Sequence, residues 1–128
     1  MICVKYAPHL LPKVLSGEKT TTWRLDNEKP FEVGGRVGHC DNAGRIYGHS
    51  RVSWIIDTVL GEGIDAAAHE GHEDCGSAEE RIDTYRGFYG PEVDGASEVT
   101  AIHFGPLLAK VFEVDSDRVT IVINADEE

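Results

Sequence analysis

Short apolar segments, separated by glycine, proline and small polar residues, follow one another along most of the chain. Several are rich in valine, isoleucine, threonine or tyrosine, which favour β-strands, whereas glycine and proline mark turns. The pattern predicts strands over residues 2–6, 20–25, 45–59, 98–104, 107–114 and 118–124, and the segment 31–40 enters a further strand through the glycine pair at 34–35. Residues 125–128 are expected to form a frayed tail.

Three segments carry helical patterns instead. Apolar residues at helical spacing predict a helix over 9–16 that Gly17 ends, and an alanine-rich stretch predicts another over 64–70. Ser77 and Glu80 form a capping-box pattern, which predicts a third helix reaching about residue 89. The apolar face of this third helix is expected to carry Ile82, Tyr85 and Phe88. Many short strands with a few helices between them predict a mainly β fold with helices (α+β): a partly closed barrel of about six strands with two to three peripheral helices.

The size and charge of the chain narrow the classes of function. Its 128 residues are expected to form one domain, 1–128. The formal net charge of −11 argues against a broad duplex-binding face but leaves room for a small cationic pocket. This net charge is typical of an ordinary soluble protein with an acidic surface and also of a protein from an organism with a high-salt cytoplasm.

Targeting and cysteine patterns indicate a cytoplasmic protein. No apolar run approaches the roughly 20 residues of a membrane span, and the N-terminus lacks a signal-peptide pattern. The cysteines are odd in number and widely spaced, which favours a reducing compartment over a disulfide framework. We therefore expect no membrane partner.

Residues 16–25 concentrate the candidate chemistry. Lys19, three threonines and Arg24 follow the break at Gly17, and donors at a strand end suit an anionic or carbonyl-bearing ligand. Lysine can also activate a neighbouring hydroxyl once its ammonium loses a proton, and desolvation with repulsion from Arg24 would favour that loss. On a regular strand, however, Lys19 and Thr22 would face opposite sides. Lys19 must therefore lie in the turn before the strand, or a bulge must intervene.

The alternation of side chains along this strand also predicts which face the other residues occupy. Thr20, Thr22 and Arg24 are expected to share one face of the strand. Trp23 has the opposite parity and is expected to pack inward.

A competing hypothesis is a metal site formed by His69, His72 and Cys75. Ligands three residues apart can share a helix face, and Glu73 could serve a metal-bound water. Gly71 interrupts that helix, and no paired ligand motif accompanies it. We therefore expect solvent-facing histidines, no metal and no cofactor.

The pattern Gly17-x-Lys19-x-x-Thr22-x-Arg24 after the first helix resembles that of the ASCH family. A glycine-pair turn, a long hairpin, an acidic glycine-rich stretch, a helix and the Ile-x-Phe strand at 102–104 follow in the family's order. The resemblance covers about residues 2–104 and leaves 105–128 unexplained. It implies a PUA-like β-barrel and a cleft that binds RNA or nucleotides. We expect the partner to be RNA or a nucleoside-type small ligand that binds in this cleft. We expect the protein to be a monomer or weak oligomer.

One small bacterial branch of that family hydrolyses N4-acetylcytidine with a lysine, a threonine and a glutamate. The resemblance implies catalytic roles for Lys19, Thr22 and a glutamate within 70–74. Counting residues back from the start of the following helix favours Glu73 as this glutamate. A one-gap shift in the match to the family would select Glu70 instead. The implied substrate-binding residues are Gly17, Thr20, Arg24 and Glu70. The alternatives are a non-catalytic RNA-binding module and a metal-dependent hydrolase.

Overall fold

The computed structural model of the chain describes residues 2–114 and 117–122. Within these residues the strands are β1 (Ile2–Lys5), β2 (Thr21–Leu25), β3 (Arg36–Cys40), β4 (Ile46–Val59), β5 (Glu98–Phe104), β6 (Ala109–Val114) and β7 (Asp117–Val122). The α-helices are α1 (Leu11–Leu15) and α2 (Ala78–Tyr89), and Ala66–His69 form a single 3₁₀ turn. The predicted mainly β fold with helices is confirmed. The helix predicted over residues 64–70 is only this 3₁₀ turn, and the predicted tail lies outside the described residues.

The described strands form one curled sheet in the order β1-β3-β4-β5-β2, and β6 pairs with both β4 and β7. The pairing of β1 with β3 is parallel, and the other pairings are antiparallel. The long strand β4 pairs with β3 and β6 through its first part and with β5 through the rest. Its register against β5 shifts between Val52 and Trp54. Strands β1 and β2 are the two end strands of the order β1-β3-β4-β5-β2. The Arg24 guanidinium of β2 donates to the Lys5 carbonyl oxygen of β1 at 2.9 Å.

Two apolar clusters stabilise this sheet. The first includes residues from β1, α1 and the central strands: Val4, Tyr6, Leu11, Val14, Val37, Val52, Ile102 and Phe104. The second joins β2 and β5 to α2 and the loops around it: Trp23, Leu25, Leu60, Ala68, Tyr85, Val93, Val99 and Ala101. Trp23 packs inward as predicted, and its indole N–H donates to the Ala68 carbonyl oxygen at 2.8 Å.

The start of α2 is the capping box that the sequence predicts. The Ser77 hydroxyl accepts from the Glu80 backbone N–H, while the Glu80 carboxylate accepts from the Ser77 backbone N–H. The buried face of the helix differs from the expected one. Tyr85 is buried, but the Phe88 side chain is 53% exposed.

Arg81 is also buried, on the same face of α2 as Tyr85. Its guanidinium is buried and donates to the carbonyl oxygens of Leu60 at 2.6 Å and Gly61 at 2.8 Å. These bonds supply the partners that a buried cation needs, so the helix turns a charged residue inward. Among the residues that the structure describes, no helix is both long and apolar enough to cross a bilayer.

Candidate functional site

Lys19 lies between α1 and β2, outside the regular strand. The chain leaves α1 through Gly17 at a φ of 83°, and the Lys19 backbone N–H donates to the Lys13 carbonyl oxygen at 2.9 Å. Strand β2 begins only at Thr21. Lys19 therefore lies in the turn before the strand, which is one of the two arrangements that would let Lys19 and Thr22 meet. The Lys19 side chain is 3% exposed.

The loop after the 3₁₀ turn is fixed against the start of β2. The Gly71 carbonyl oxygen accepts from the backbone N–H groups of Thr20 at 2.8 Å and Thr21 at 3.1 Å. The Thr21 hydroxyl donates to the Glu70 carbonyl oxygen. Gly71 has a φ of 71°, a conformation that favours glycine. These contacts place Glu73 beside Lys19.

Lys19 and Glu73 form the central polar contact of the site. Lys19 Nζ lies 2.6 Å from Glu73 Oε2, and the Glu73 side chain is 27% exposed. Burial lowers the pKa of Lys19, an effect that Glu73 partly offsets and Arg24 reinforces. Burial alone would raise the pKa of Glu73, but His72 and Lys19 together bring it below its ordinary value. A lysine with a lowered pKa is poised to act as a base.

A cavity of about 400 Å³ opens beside this pair. Its polar lining includes Lys19, Thr22, Arg24 and Glu73, four of the seven predicted site residues. Its aromatic walls come from Tyr6, Trp23, Tyr85, Phe88 and Tyr89. Ligand pockets commonly combine apolar walls with a few convergent polar groups, and their volumes begin at about 300 Å³. The cavity therefore has the size and lining of a small-ligand site.

Arg24 contributes a fixed cation to this cavity. Its Nη2 donates to the Lys5 carbonyl oxygen at 2.9 Å, and its guanidinium carbon lies 5.4 Å from the centre of the Tyr6 ring. Its buried Nε has no hydrogen-bond partner among the described residues. As a residue that lines the cavity, Arg24 offers a cationic guanidinium to a carbonyl or phosphate oxygen of a ligand.

The other three predicted site residues do not line the cavity. Gly17 ends α1, and the Thr20 carbonyl oxygen accepts from the Phe104 backbone N–H at 2.9 Å. Glu70 is exposed and contributes its backbone carbonyl to the loop contact with Thr21. Of the two candidate glutamates, Glu73 is the one that the structure brings to Lys19.

His72 belongs to the site in a role that the sequence did not indicate, since its pattern suggested only a metal ligand or a solvent-facing histidine. We expected it to face solvent, and that is wrong: its side chain is fully buried and stacks on Trp23 with ring centres 3.7 Å apart. Its Nε2 lies 3.2 Å from the Tyr85 hydroxyl and 3.3 Å from Glu73 Oε1. Burial is the main cause that lowers the pKa of His72 to about 4. Its position next to Glu73 is the sequence feature that points to this role.

The competing metal hypothesis finds no support in the described part of the chain. There, no three histidine, cysteine, aspartate or glutamate side chains are grouped as metal ligands. His69 is exposed and contacts the edge of Trp23, whereas the ring of His72 lies on its face. The Cys75 thiol donates to the Glu73 carbonyl oxygen at 3.7 Å, and burial raises its pKa.

Comparison with known proteins identifies the fold. No protein-family model and no curated protein matches the chain. An ASCH domain from Lactobacillus crispatus JV V101 aligns with a TM-score of 0.58 and 16% identity, over 77% of this chain and 70% of that one. ASCH from Zymomonas mobilis gives 0.56 and 13%, over 89% and 73%. A DUF984 protein from Enterococcus faecalis V583 gives 0.57 and 12%, over 78% and 70%. The chain therefore has the ASCH fold, as its sequence pattern predicted.

Proposed function

We propose that the cavity binds a nucleoside-type ligand and hydrolyses an N4-acyl amide such as that of N4-acetylcytidine. Lys19, Thr22 and Glu73 are the catalytic residues of this proposal. The observation that carries it is the 2.6 Å contact between Lys19 and Glu73 on the wall of the cavity that Thr22 also lines. The solved ASCH domains support it through their fold alone.

The first half of the reaction begins when the Lys19 ammonium passes a proton to the Glu73 carboxylate, which leaves Lys19 neutral and Glu73 protonated. Lys19 Nζ accepts the hydroxyl proton of Thr22 as the threonine oxygen bonds to the amide carbonyl carbon. The carbon–nitrogen bond then breaks, and the departing exocyclic amine receives the Glu73 proton. Cytidine leaves, and the acyl group remains on Thr22 as an ester.

Water completes the reaction. It adds to the ester carbonyl carbon as Glu73 accepts one of its protons, and the threonine oxygen leaves with the proton held on Lys19. The acyl group departs as a carboxylic acid. Lys19 is then neutral and Glu73 protonated, and return of the proton to Lys19 restores the ion pair.

Arg24 and the aromatic walls supply binding in this account. The Arg24 guanidinium is a donor for a carbonyl oxygen of the ligand, and Tyr6 and Phe88 offer flat apolar surfaces to a base. A small cavity on a chain with a net charge of −11 suits a nucleoside better than a long phosphate backbone. In the same proposal, residues 1–128 act as one cytoplasmic domain, as a monomer or weak oligomer.

The assay is incubation with N4-acetylcytidine followed by chromatography for cytidine and acetate. The wild-type protein is expected to release both in equal amounts. Thr22→Val removes the nucleophilic hydroxyl at nearly constant shape and should abolish release, whereas Thr22→Ser keeps the hydroxyl and should retain measurable activity. An inactive wild-type protein, or a Thr22→Val variant as active as wild type, would contradict the proposal.

A second candidate is a non-catalytic RNA-binding module, which the exposed ring of Phe88 favours. Phe88 is 53% exposed, lines the cavity and makes an edge-on contact with Tyr85. Exposed aromatic rings stack on unpaired bases. Fluorescence anisotropy with a short single-stranded RNA would test this: Lys19→Ala and Arg24→Ala should each weaken binding. No binding by the intact protein at its working salt concentration would exclude it.

A further inference from the structure

A second cavity, of about 340 Å³, adjoins the one that holds Lys19 and Glu73. Arg24 and Tyr89 line both cavities, so the two meet at these side chains. The rest of its wall comes mainly from β1 and from the turn that follows β2. The proposed reaction takes place in the first cavity and leaves the second one to hold another part of the ligand.

Strand β2 leads from the reacting group to the second cavity. Of these two cavities, Thr22 lines the first, Arg24 lines both and Asp26 lines the second. Two residues advance a strand by about 6.6 Å, a length similar to that of a pyrimidine ring with its exocyclic amide. In an N4-acylcytidine the ribose is attached to N1, across the ring from the carbon that carries the amide. With the amide at Thr22 and the ring along β2, the ribose therefore reaches the second cavity.

The turn after β2 is held in place by its own hydrogen bonds. Asn27 Nδ2 donates to the Lys29 carbonyl oxygen at 3.0 Å, and Asn27 Oδ1 accepts from the Lys29 backbone N–H at 3.3 Å. Lys29 Nζ donates to the Cys3 carbonyl oxygen of β1 at 2.6 Å. These contacts fix the backbone that carries Asp26 and Glu28 along the wall of the second cavity.

The polar lining of the second cavity is balanced in charge. Arg24 and Lys29 are cations, and Asp26 and Glu28 are anions. A balanced lining provides no net attraction for a phosphate group. It offers both donors and acceptors, which suits hydroxyl groups, because each hydroxyl can donate and accept. Two aromatic side chains add flat apolar surface for the carbon atoms of a sugar ring: Phe31 and Tyr89.

We propose that the second cavity is a ribose subsite, so that the substrate is a whole nucleoside and not a free N4-acyl base. The carboxylates of Asp26 and Glu28 accept hydrogen bonds from the ribose hydroxyls, and the ammonium of Lys29 donates to them. This inference rests on the proposed function, because placing the amide at Thr22 sets the direction in which the ligand extends.

The first test compares N4-acetylcytidine with N4-acetylcytosine as substrates of the wild-type protein. Both compounds carry the same acetyl amide, and only the first carries a ribose. KM should be about tenfold or more higher for N4-acetylcytosine, with a similar kcat, because the lost hydrogen bonds act on binding and not on the reacting amide. Equal KM values would overturn the subsite and leave the proposed hydrolysis intact.

The second test removes both carboxylates, in Asp26→Gly combined with Glu28→Ala. Glycine retains the positive φ of 49° at position 26 without strain. The ratio of the two KM values should fall from about tenfold towards one, because the variant loses the contacts that only the nucleoside makes. Glu62→Ala is the matched control, since Glu62 is also exposed but lines neither cavity, and it should keep the wild-type ratio. An unchanged ratio in the double variant would overturn the proposal.

A binding measurement decides the subsite without hydrolysis. Isothermal titration calorimetry of the wild-type protein compares cytidine with cytosine, and cytidine should bind about tenfold more tightly. If the protein hydrolyses neither acetylated compound, the proposed function fails. Cytidine that binds no more tightly than cytosine overturns the ribose subsite. The comparison uses the wild-type chain, so it holds even if the double variant does not fold.

Discussion

The Lys19 ammonium and the Glu73 carboxylate meet at 2.6 Å although 54 positions separate them in the sequence. The contact exists because the loop containing Gly71 is hydrogen-bonded to the first residues of β2. The contact places on the wall of one cavity the two groups that exchange protons in the proposed reaction. The chemistry proposed for the site depends on this relationship.

Glu73→Gln should destabilise the protein, because Lys19 would lose its charge partner while remaining 3% exposed. We expect a loss of about 1 to 3 kcal/mol in the free energy of unfolding near pH 7, less than for a fully buried pair because Glu73 is 27% exposed. Urea unfolding measures it. Asp83→Asn is the control: its pair with Arg86 is largely exposed and should contribute less than about 1 kcal/mol. Equal effects from the two substitutions would contradict this prediction.

Gly71→Ala should be far more damaging than Gly17→Ala. Both glycines have positive φ, but a Cβ at Gly71 would lie 1.8 Å from Thr20 Oγ1, whereas one at Gly17 would meet nothing within 4 Å. Gly17→Ala should therefore cost only the backbone strain of about 1 to 2 kcal/mol, and Gly71→Ala clearly more. Thermal unfolding compares them.

A double variant identifies the cause of the larger loss. Combining Gly71→Ala with Thr20→Ala removes the hydroxyl that the new methyl group would strike. It should recover part of the stability lost in Gly71→Ala. No recovery would place the cause elsewhere than in the contact with Thr20.

The stability of the protein should fall as the pH is lowered from about 6.5 towards 4. Burial lowers the pKa of His39 to about 3, and the ring is held between the Tyr6 and Ser50 hydroxyls. Between that value and about 6.5 the unfolded chain binds a proton that the folded chain does not, so folding weakens by up to about 1.4 kcal/mol per pH unit. His72 has its pKa lowered to about 4 and acts in the same direction. Urea unfolding at pH 7, 6 and 5 measures the slope.

His39→Gln isolates the contribution of one histidine to this slope. Glutamine can still hydrogen-bond to Tyr6 and Ser50 but does not titrate in this range. The variant should be less stable overall yet lose less additional stability on acidification than wild type. A slope identical to that of wild type would show that His39 is not a source of the acid sensitivity.

Phe88→Ala should weaken ligand binding without destabilising the fold. Phe88 is 53% exposed at the cavity, and stacking of a base on an aromatic ring contributes about 1 kcal/mol or more. KM for N4-acetylcytidine should rise about fivefold or more, with kcat little changed. Val33→Ala is the control, because Val33 is 66% exposed and does not line the cavity. A parallel change in both variants would contradict the assigned role.

Local patterns in the sequence predicted much of this fold. Residue preference and turn residues located most of the strands, and the Ser77 and Glu80 pair marked the start of α2 because a capping box involves only residues close in sequence. Strand parity predicted that Trp23 packs inward and that Lys19 must lie off the strand. Both expectations are confirmed.

Long-range packing accounts for what the sequence did not predict. His72 is buried because Trp23 and Tyr85, distant in sequence, enclose its ring. Arg81 is buried because its guanidinium donates to backbone carbonyls that only the folded chain brings close. Phe88 is exposed at the wall of the cavity. Counting residues favoured Glu73 over Glu70, but the contact with Lys19 depends on the hydrogen bonds at Gly71.

The most direct test of the central claim is peptide mass spectrometry after a rapid acid quench of the protein with N4-acetylcytidine. The account predicts that cytidine appears and that the peptide containing Thr22 gains one acetyl group. Glu73→Gln should slow the appearance of cytidine, and Thr22→Val should show neither product. Cytidine released by Thr22→Val, or no cytidine from wild type at any pH between about 6 and 9, would contradict the account.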